Sequence, residues 1–260
     1  MALLQAEGVT VSVDNRPLLT DVCLDVDVGE LVCVIGPNGA GKSTLLRALC
    51  GESAMETGRV HFKGESLASL PARKRARQLA VLPQSNPLSF AFTGLELVAL
   101  SRTPHSTGTE RDRIICLEAM AALDVCHLSG RLYPTLSGGE QQRLQLARVM
   151  AQIWRAEDGG DRLLLLDEPA TSLDIAHQYE MMRAVRDFAR SGVAVVMTVH
   201  DLAHASGYSD RILALKHGRS MAYGCPETVL TAENMQQLYG YSVTVVPHPV
   251  TGKSLVVADV

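Results

Sequence analysis

The chain has 260 residues, is 47% hydrophobic and 20% charged, and carries a formal net charge of −4. That length accommodates one large domain or two smaller ones with a sizeable core, and the acidic balance argues against a general affinity for nucleic acid. The longest apolar runs are of strand length, so no membrane-spanning helix is expected, and the N-terminus lacks the charged start and apolar core of an export signal.

The first segment, to about Asp27, alternates as short strands around a turn at Asp14-Asn15-Arg16-Pro17. Leu31–Ile35 is a continuous apolar run of the buried-strand type. It leads into Gly36-Pro37-Asn38-Gly39-Ala40-Gly41-Lys42-Ser43-Thr44, which fits the phosphate-loop pattern G-x-x-x-x-G-K-[ST]. A helix should follow from Thr44 and stop at Gly51. Strand, glycine loop and helix are the context that this motif requires. Glycines let the backbone approach phosphate without a Cβ clash, and the helix N-terminus adds partial positive charge. In such a loop Lys42 can reach the β- and γ-phosphates, and Ser43 can ligate Mg²⁺.

Arg59–Phe62 suggests another strand, and the basic stretch Pro71–Arg77 reads as a solvated helix face, with contact to a phospholipid surface as the other possibility. An apolar run at Leu79–Pro83 precedes Gln84. Helical sequence dominates from Gly94 to about Trp154, with breaks at Thr103-Pro104 and at Leu132-Tyr133-Pro134. Within it, Leu136-Ser137-Gly138-Gly139-Glu140 stands just before a helical stretch, so it too can present backbone N–H groups to phosphate. Arg155–Arg162 is polar and reads as a surface loop. Leu163–Leu166 then forms a buried strand ending in Asp167 and Glu168. A carboxylate at Asp167 can hold Mg²⁺, and Glu168 can polarise an attacking water as a general base. His200 follows the apolar strand Val193–Val199. His200 and His204 are four apart, but the string has Asp201 where a zinc protease needs Glu, so His204 reads as packing or surface. The tail from Ser242 to Val257 reads as a hairpin, and its Thr251-Gly252-Lys253-Ser254 is a turn rather than a second phosphate loop. Cys23, Cys33, Cys50, Cys116, Cys126 and Cys225 are scattered with no C-x-x-C pair, which fits reduced thiols.

Taken in order, the Lys42 loop, Gln84, Leu136–Glu140, Asp167-Glu168, Ser172-Leu173-Asp174 and His200 resemble the motifs of the ATP-binding-cassette (ABC) ATPases across nearly the whole chain. The resemblance implies an α/β P-loop NTPase core of the RecA-like kind, with an antiparallel β subdomain and an inserted helical subdomain. The core would comprise residues 1–85 and 159–260, and the helical subdomain 86–158. It implies ATP and Mg²⁺ as cofactors, with Ser43, Gln84 and Asp167 near the metal. Glu168 would position water, His200 would contact the γ-phosphate, Gln84 would sense Mg²⁺ or water, and Asp174 would lie in the D-loop. Two copies would pack head to tail, each ATP lying between the Gly36–Thr44 loop of one and Ser137-Gly138-Gly139-Glu140 of the other. Two transmembrane permease subunits and, indirectly, a substrate-binding protein would complete an importer at the cytoplasmic face of a bacterial inner membrane, with no nucleic acid bound.

One expected feature is missing. The family usually stacks an aromatic side chain on adenine from an early loop, but Val13 holds that place, and no Phe, Tyr or Trp occurs before Phe62. The segment after Gln84 places Phe90 and Phe92 close together, either as helical-subdomain core or as an exposed docking patch for a membrane subunit. The wording around Gly138–Arg143 is similar to importers of iron chelates, haem and cobalamin, most of all those of haem. Ferric siderophore or cobalamin uptake remains the alternative cargo reading. A soluble ABC-type ATPase acting on ribosomes or DNA, or a module that binds ATP without hydrolysis, are the readings from other classes.

Overall fold

Buried parallel strands need apolar residues on both faces, and the uninterrupted runs supply them. The computed structural model describes residues 2–84 and 90–259. Strands β1 (Leu4–Val13), β2 (Arg16–Val26) and β3 (Leu31–Ile35) lead to helix α1 (Lys42–Leu49). Then come β4 (Thr57–Phe62), β5 (Glu65–Ser66), α2 (Ala72–Gln78) and β6 (Leu79–Leu82). A helical stretch follows, with α3 (Gly94–Ala99), α4 (Thr109–Ala121), α5 (Gly138–Gln152) and α6 (Ala156–Gly159). The chain then alternates through β7 (Arg162–Asp167), α7 (Ile175–Arg190), β8 (Val193–Thr198), α8 (Leu202–Tyr208), β9 (Arg211–Lys216) and β10 (Arg219–Gly224). It ends in α9 (Pro226–Val229), α10 (Ala232–Tyr239) and the hairpin β11 (Val243–Pro247) and β12 (Ser254–Ala258).

The main sheet has the order β10-β9-β3-β8-β7-β6, parallel except for the antiparallel edge strand β10. A second sheet, β2-β1-β4-β5, is antiparallel. Side-chain alternation splits the core in two. Leu31, Cys33 and Ile35 of β3 face one cluster with α5 and α7, whereas Val32 and Val34 face the other with α1 and the antiparallel sheet. The same division runs through β7 and β8.

The first two strands are longer than expected, ten and eleven residues, because Asp14 and Asn15 both adopt positive φ and close a tight hairpin. The Arg155–Arg162 stretch is also not a simple surface loop. It contains α6, and Arg162 is buried in β7, donating to the carbonyls of Ile153, Trp154 and Ser191. Asp158 is equally enclosed, paired with the buried Arg102 at 2.7 Å. The basic helix α2 is only partly solvated, since Arg73 and Arg77 both donate to the carbonyl of Pro104. We propose the helical stretch between β6 and β7 as an inserted subdomain. Its expected start at 86 lies outside the described residues, and its expected end at 158 falls within α6. Burial pushes the thiol of Cys33 up to about 12 and those of Cys50 and Cys116 up to about 11, disfavouring their thiolates.

One polar clamp ties three elements of the main layer. Arg186 of α7 grips Asp210 with two hydrogen bonds of 2.5 and 2.7 Å, and Asp210 accepts the first N–H of β3, from Leu31, at 2.9 Å. Burial alone would raise the Asp210 pKa, but Arg186 and the Leu31 N–H outweigh it and hold it below the usual carboxylate range. Its stabilisation is therefore present above the unfolded carboxylate value of about 4 and is lost as pH falls through the lower folded value. Asp210→Asn should destabilise by about 1–2 kcal/mol, toward the low end for charged hydrogen bonds because the carboxylate is partly solvent-screened. It should also flatten the acid limb of stability against pH, read by denaturant unfolding at several pH values.

Candidate active site

The parallel pairing brings the carboxyl ends of β3, β7 and β8 to one edge of the sheet, the usual place for a ligand in such folds. The loop after β3 crosses there and turns into α1. Two of its glycines are demanded by close backbone approach. A Cβ on Gly36 would lie 2.2 Å from the carbonyl oxygen of Leu215, and one on Gly41 would lie 2.8 Å from that of Leu18. Gly41 also has φ 102° as it starts α1, a region closed to most side chains. The loop is buttressed from behind, where the Gly218 N–H donates to Ala40 and the Thr20 N–H donates to Gly218.

Lys42 is buried and its ammonium donates to the carbonyls of Gly36 at 2.8 Å and Pro37 at 3.3 Å. Burial pushes its pKa below the usual lysine range, while the nearby charges of Glu168 and Asp167 pull the other way. A cation so placed gains from an incoming polyphosphate. Asp167 ends β7 with 6% exposure and forms no ion pair among the described residues. A buried carboxylate with Lys42 nearby but no direct ion pair still gains from a further cation, so this one suits a bound metal ion. Its Oδ1 accepts from the Thr198 hydroxyl at 2.8 Å. Asp167 and the cleft-lining Ser43 therefore fit the Mg²⁺ expected with the triphosphate.

Glu168 is held from both sides. Oε2 accepts from Gln84 Nε2 at 2.9 Å, and Oε1 lies 2.5 Å from His200 Nε2. These three residues, Leu18 and the loop Asn38–Thr44 line one cleft of about 660 Å³. Gly36, Pro37 and Asp167 are not among its lining residues.

Ser137, Gly138, Gly139, Glu140 and Asp174 are not in the lining of that cleft. Ser137 instead caps α5. Its hydroxyl accepts the Glu140 N–H at 3.3 Å, and Glu140 Oε2 takes the Ser137 N–H at 2.7 Å in a capping box. Glu140 also pairs with Arg131 at 3.2 Å, so its carboxylate is engaged locally rather than turned to a ligand. At the helix start Gly138 is exposed and Gly139 is half-buried against Leu173 and the carbonyl of Ser172. Asp174 caps α7, accepting the His177 N–H at 3.0 Å.

His204 lies on α8, buried between Tyr179 and Tyr208. His200 precedes that helix, so the two histidines do not share a face of it. Phe90 and Phe92 divide the two readings made of them: Phe92 packs against the core, and Phe90 is 69% exposed. Positions 86–89 of that segment lie outside the described residues. Sequence reasoning missed two residues. Leu18 lines the cleft but looks like any strand residue, and Thr198 bridges Asp167 and Glu168 across a strand pair. A hydroxyl inside an apolar strand was the only available signal for Thr198.

The profile of the ABC transporter family matches residues 19–171. The chain belongs to the ABC transporter family. The hemin import ATP-binding protein HmuV of Gloeobacter violaceus is 51% identical over 257 residues, covering 98% of this chain and 94% of its own. Among solved structures, a chain of a metal-chelate type ABC transporter in an inward-facing conformation is 25% identical, with a TM-score of 0.82, covering 100% of this chain and 98% of that one. The dimeric cassette MJ0796, a bacterial ABC transporter protein, shares the fold at 24% identity and a TM-score of 0.76, covering 86% of this chain and 98% of its own.

In this cassette the place expected of an adenine-stacking aromatic is taken by Val13, which ends β1 with 54% of its surface exposed. Among the described residues of this sheet, Leu18 alone lines the cleft. Val13→Tyr should therefore tighten ATP binding, by roughly 1–2 kcal/mol on the scale of base–aromatic stacking. The wild type should discriminate weakly between ATP and GTP. Titration of both nucleotides against both proteins checks this, and unchanged ATP affinity in the variant would place the base elsewhere.

Proposed function

We propose that the chain is the ATP-hydrolysing subunit of a bacterial importer, energising uptake of haem across the inner membrane. The observation that carries the hydrolytic part is the cleft itself, where the Lys42 loop, Gln84, Glu168 and His200 meet while the Ser137–Glu140 turn stays outside. The haem assignment is supported by likeness to relatives named as hemin import ATP-binding proteins. Likeness to a chain of a metal-chelate type transporter keeps ferric siderophore or cobalamin as the second reading.

Backbone N–H groups of Asn38–Thr44 and the Lys42 ammonium would bind the triphosphate. Ser43 and Asp167 would hold Mg²⁺, with Gln84 close by, and bound Mg²⁺ supplies charge neutralisation at the β- and γ-phosphates. Glu168 would accept the proton of the attacking water. His200 now bonds to Glu168, and it would turn to the γ-phosphate once nucleotide arrives. That exchange frees one carboxylate oxygen for water. Gln84 holds the other oxygen, linking the hydrolytic carboxylate to the segment that leads into the helical stretch.

The Ser137-Gly138-Gly139 turn, which lies outside that cleft, would with Asp174 take its phosphate from another chain. A second copy packed head to tail would provide it, and its own cleft would be completed in return. Members of the family work as dimers on transmembrane permeases. Among the described residues no helix is long and apolar enough to cross a membrane, so attachment at the cytoplasmic face would be through such partners. Phe90 offers them an exposed aromatic contact.

Glu168→Gln should keep ATP binding and lower turnover at least about a hundredfold, as loss of a general base does. The complex reconstituted with its permease should transport haem from a panel of haem, ferric siderophore and cobalamin, and lose that transport with Glu168→Gln. Uptake of another cargo but not haem would overturn the cargo assignment. Ser137→Arg should leave nucleotide binding to the single chain intact while blocking dimer closure and hydrolysis. Normal turnover by that variant would sink the shared-site arrangement.

A further inference from the structure

Thr198 is the residue paired with Asp167 across the parallel strands β7 and β8. Its side chain is fully buried, and one hydroxyl serves both acidic residues. It donates to Asp167 Oδ1 at 2.8 Å and accepts the backbone N–H of Glu168 at 2.8 Å. A hydroxyl has one proton and two lone pairs, so both bonds form together. Packing does not ask for this hydroxyl. Every other residue of β8, from Val193 to Met197, is apolar and fully buried, and valine would fill the same space.

The backbone beside it is unusual. Glu168 has φ 49°, a left-handed conformation that a β-carbon resists and that persists only where its surroundings hold it. The turn lifts Glu168 out of the strand direction, and its carboxylate meets Gln84 and His200 in the cleft. Asp167 Oδ2 accepts no hydrogen bond among the described residues, so the Thr198 bond orients the carboxylate with one oxygen left open.

We propose that Thr198 is a positioning residue for ATP hydrolysis: its hydroxyl aims the Asp167 carboxylate at the divalent cation and locks the Glu168 backbone in the turn that presents its carboxylate to water. This rests on Asp167 and Glu168 acting as cation ligand and general base.

The test uses the purified full-length chain. Thr198→Val should raise the Mg²⁺ concentration needed for half-maximal ATP binding by about tenfold, the usual effect of removing an outer partner of a metal ligand. Affinity for ATP without Mg²⁺ should stay unchanged. Turnover should fall by about tenfold with little change in KM, since the general base loses its aim while nucleotide contacts persist. Thr198→Ser, which keeps the hydroxyl, should restore both readouts. If the valine variant does not fold, Thr198→Ala carries the same expectations. A lowered melting temperature with wild-type Mg²⁺ dependence and turnover would reduce Thr198 to a packing residue and overturn the proposal, as would a serine variant no better than valine. Glu168→Gln run alongside separates the two levels. Normal turnover there would remove the general-base reading, while the Mg²⁺ dependence of Thr198→Val would still decide the clamp.

Discussion

The parallel register of β7 against β8 is the constraint on which the hydrolytic apparatus depends. It sets Asp167 opposite Thr198 and ends both strands at the same edge of the sheet. β3 pairs with β8 on the other side, so the phosphate loop emerges at that edge as well. A slip of one residue would turn Asp167 to the opposite face of the sheet. The double burial of these strands guards against that slip, because each has one set of side chains for α1 and another for α7.

At that edge the groups are arranged in mutual tension. Lys42 is buried and bound to its own loop carbonyls, Asp167 is buried without an ion pair among the described residues, and Glu168 is held by two neighbours in a backbone region that side chains avoid. On the proposed function, each of these conditions would be relieved by a triphosphate with its cation, offering charge to Lys42, a cation to Asp167 and a new partner to His200. On that reading, binding energy from the nucleotide would go into rearranging the Glu168 carboxylate.

The helical stretch shares one apolar cluster with β3, β7, β8 and α7, and a few polar bonds fasten it further. Gln152, at the end of α5, donates to the carbonyls of Ala76 and Leu79, and Gln78 donates to Gly159. The buried Arg102 gathers Asp112, Asp158 and the carbonyl of Ala151 into one knot. The far end of α5 is different in character: it carries the Ser137-Gly138-Gly139 turn, capped within itself, with Ser137 and Gly138 exposed. A helix anchored at one end and offered at the other is suited to a site shared between chains.

Much of this was legible in the chain order of residues. The phosphate loop, the strands Leu31–Ile35 and Leu163–Asp167, the helix caps and the terminal hairpin follow from local rules of pattern, glycine placement and capping, which need no knowledge of distant neighbours. The sequence determined those elements, and through its ordered motifs it determined the family. Only tertiary structure decided that Leu18 walls the cleft, that Arg162 and Asp158 are buried rather than on a loop surface, that Glu140 is consumed in a capping box and by Arg131, and that Thr198 joins Asp167 to Glu168. Each of these depends on which strand lies beside which, or on what covers a polar group. Pairing across the sheet sets residues about thirty apart in the chain at hydrogen-bond distance, a proximity that no local pattern of residues encodes.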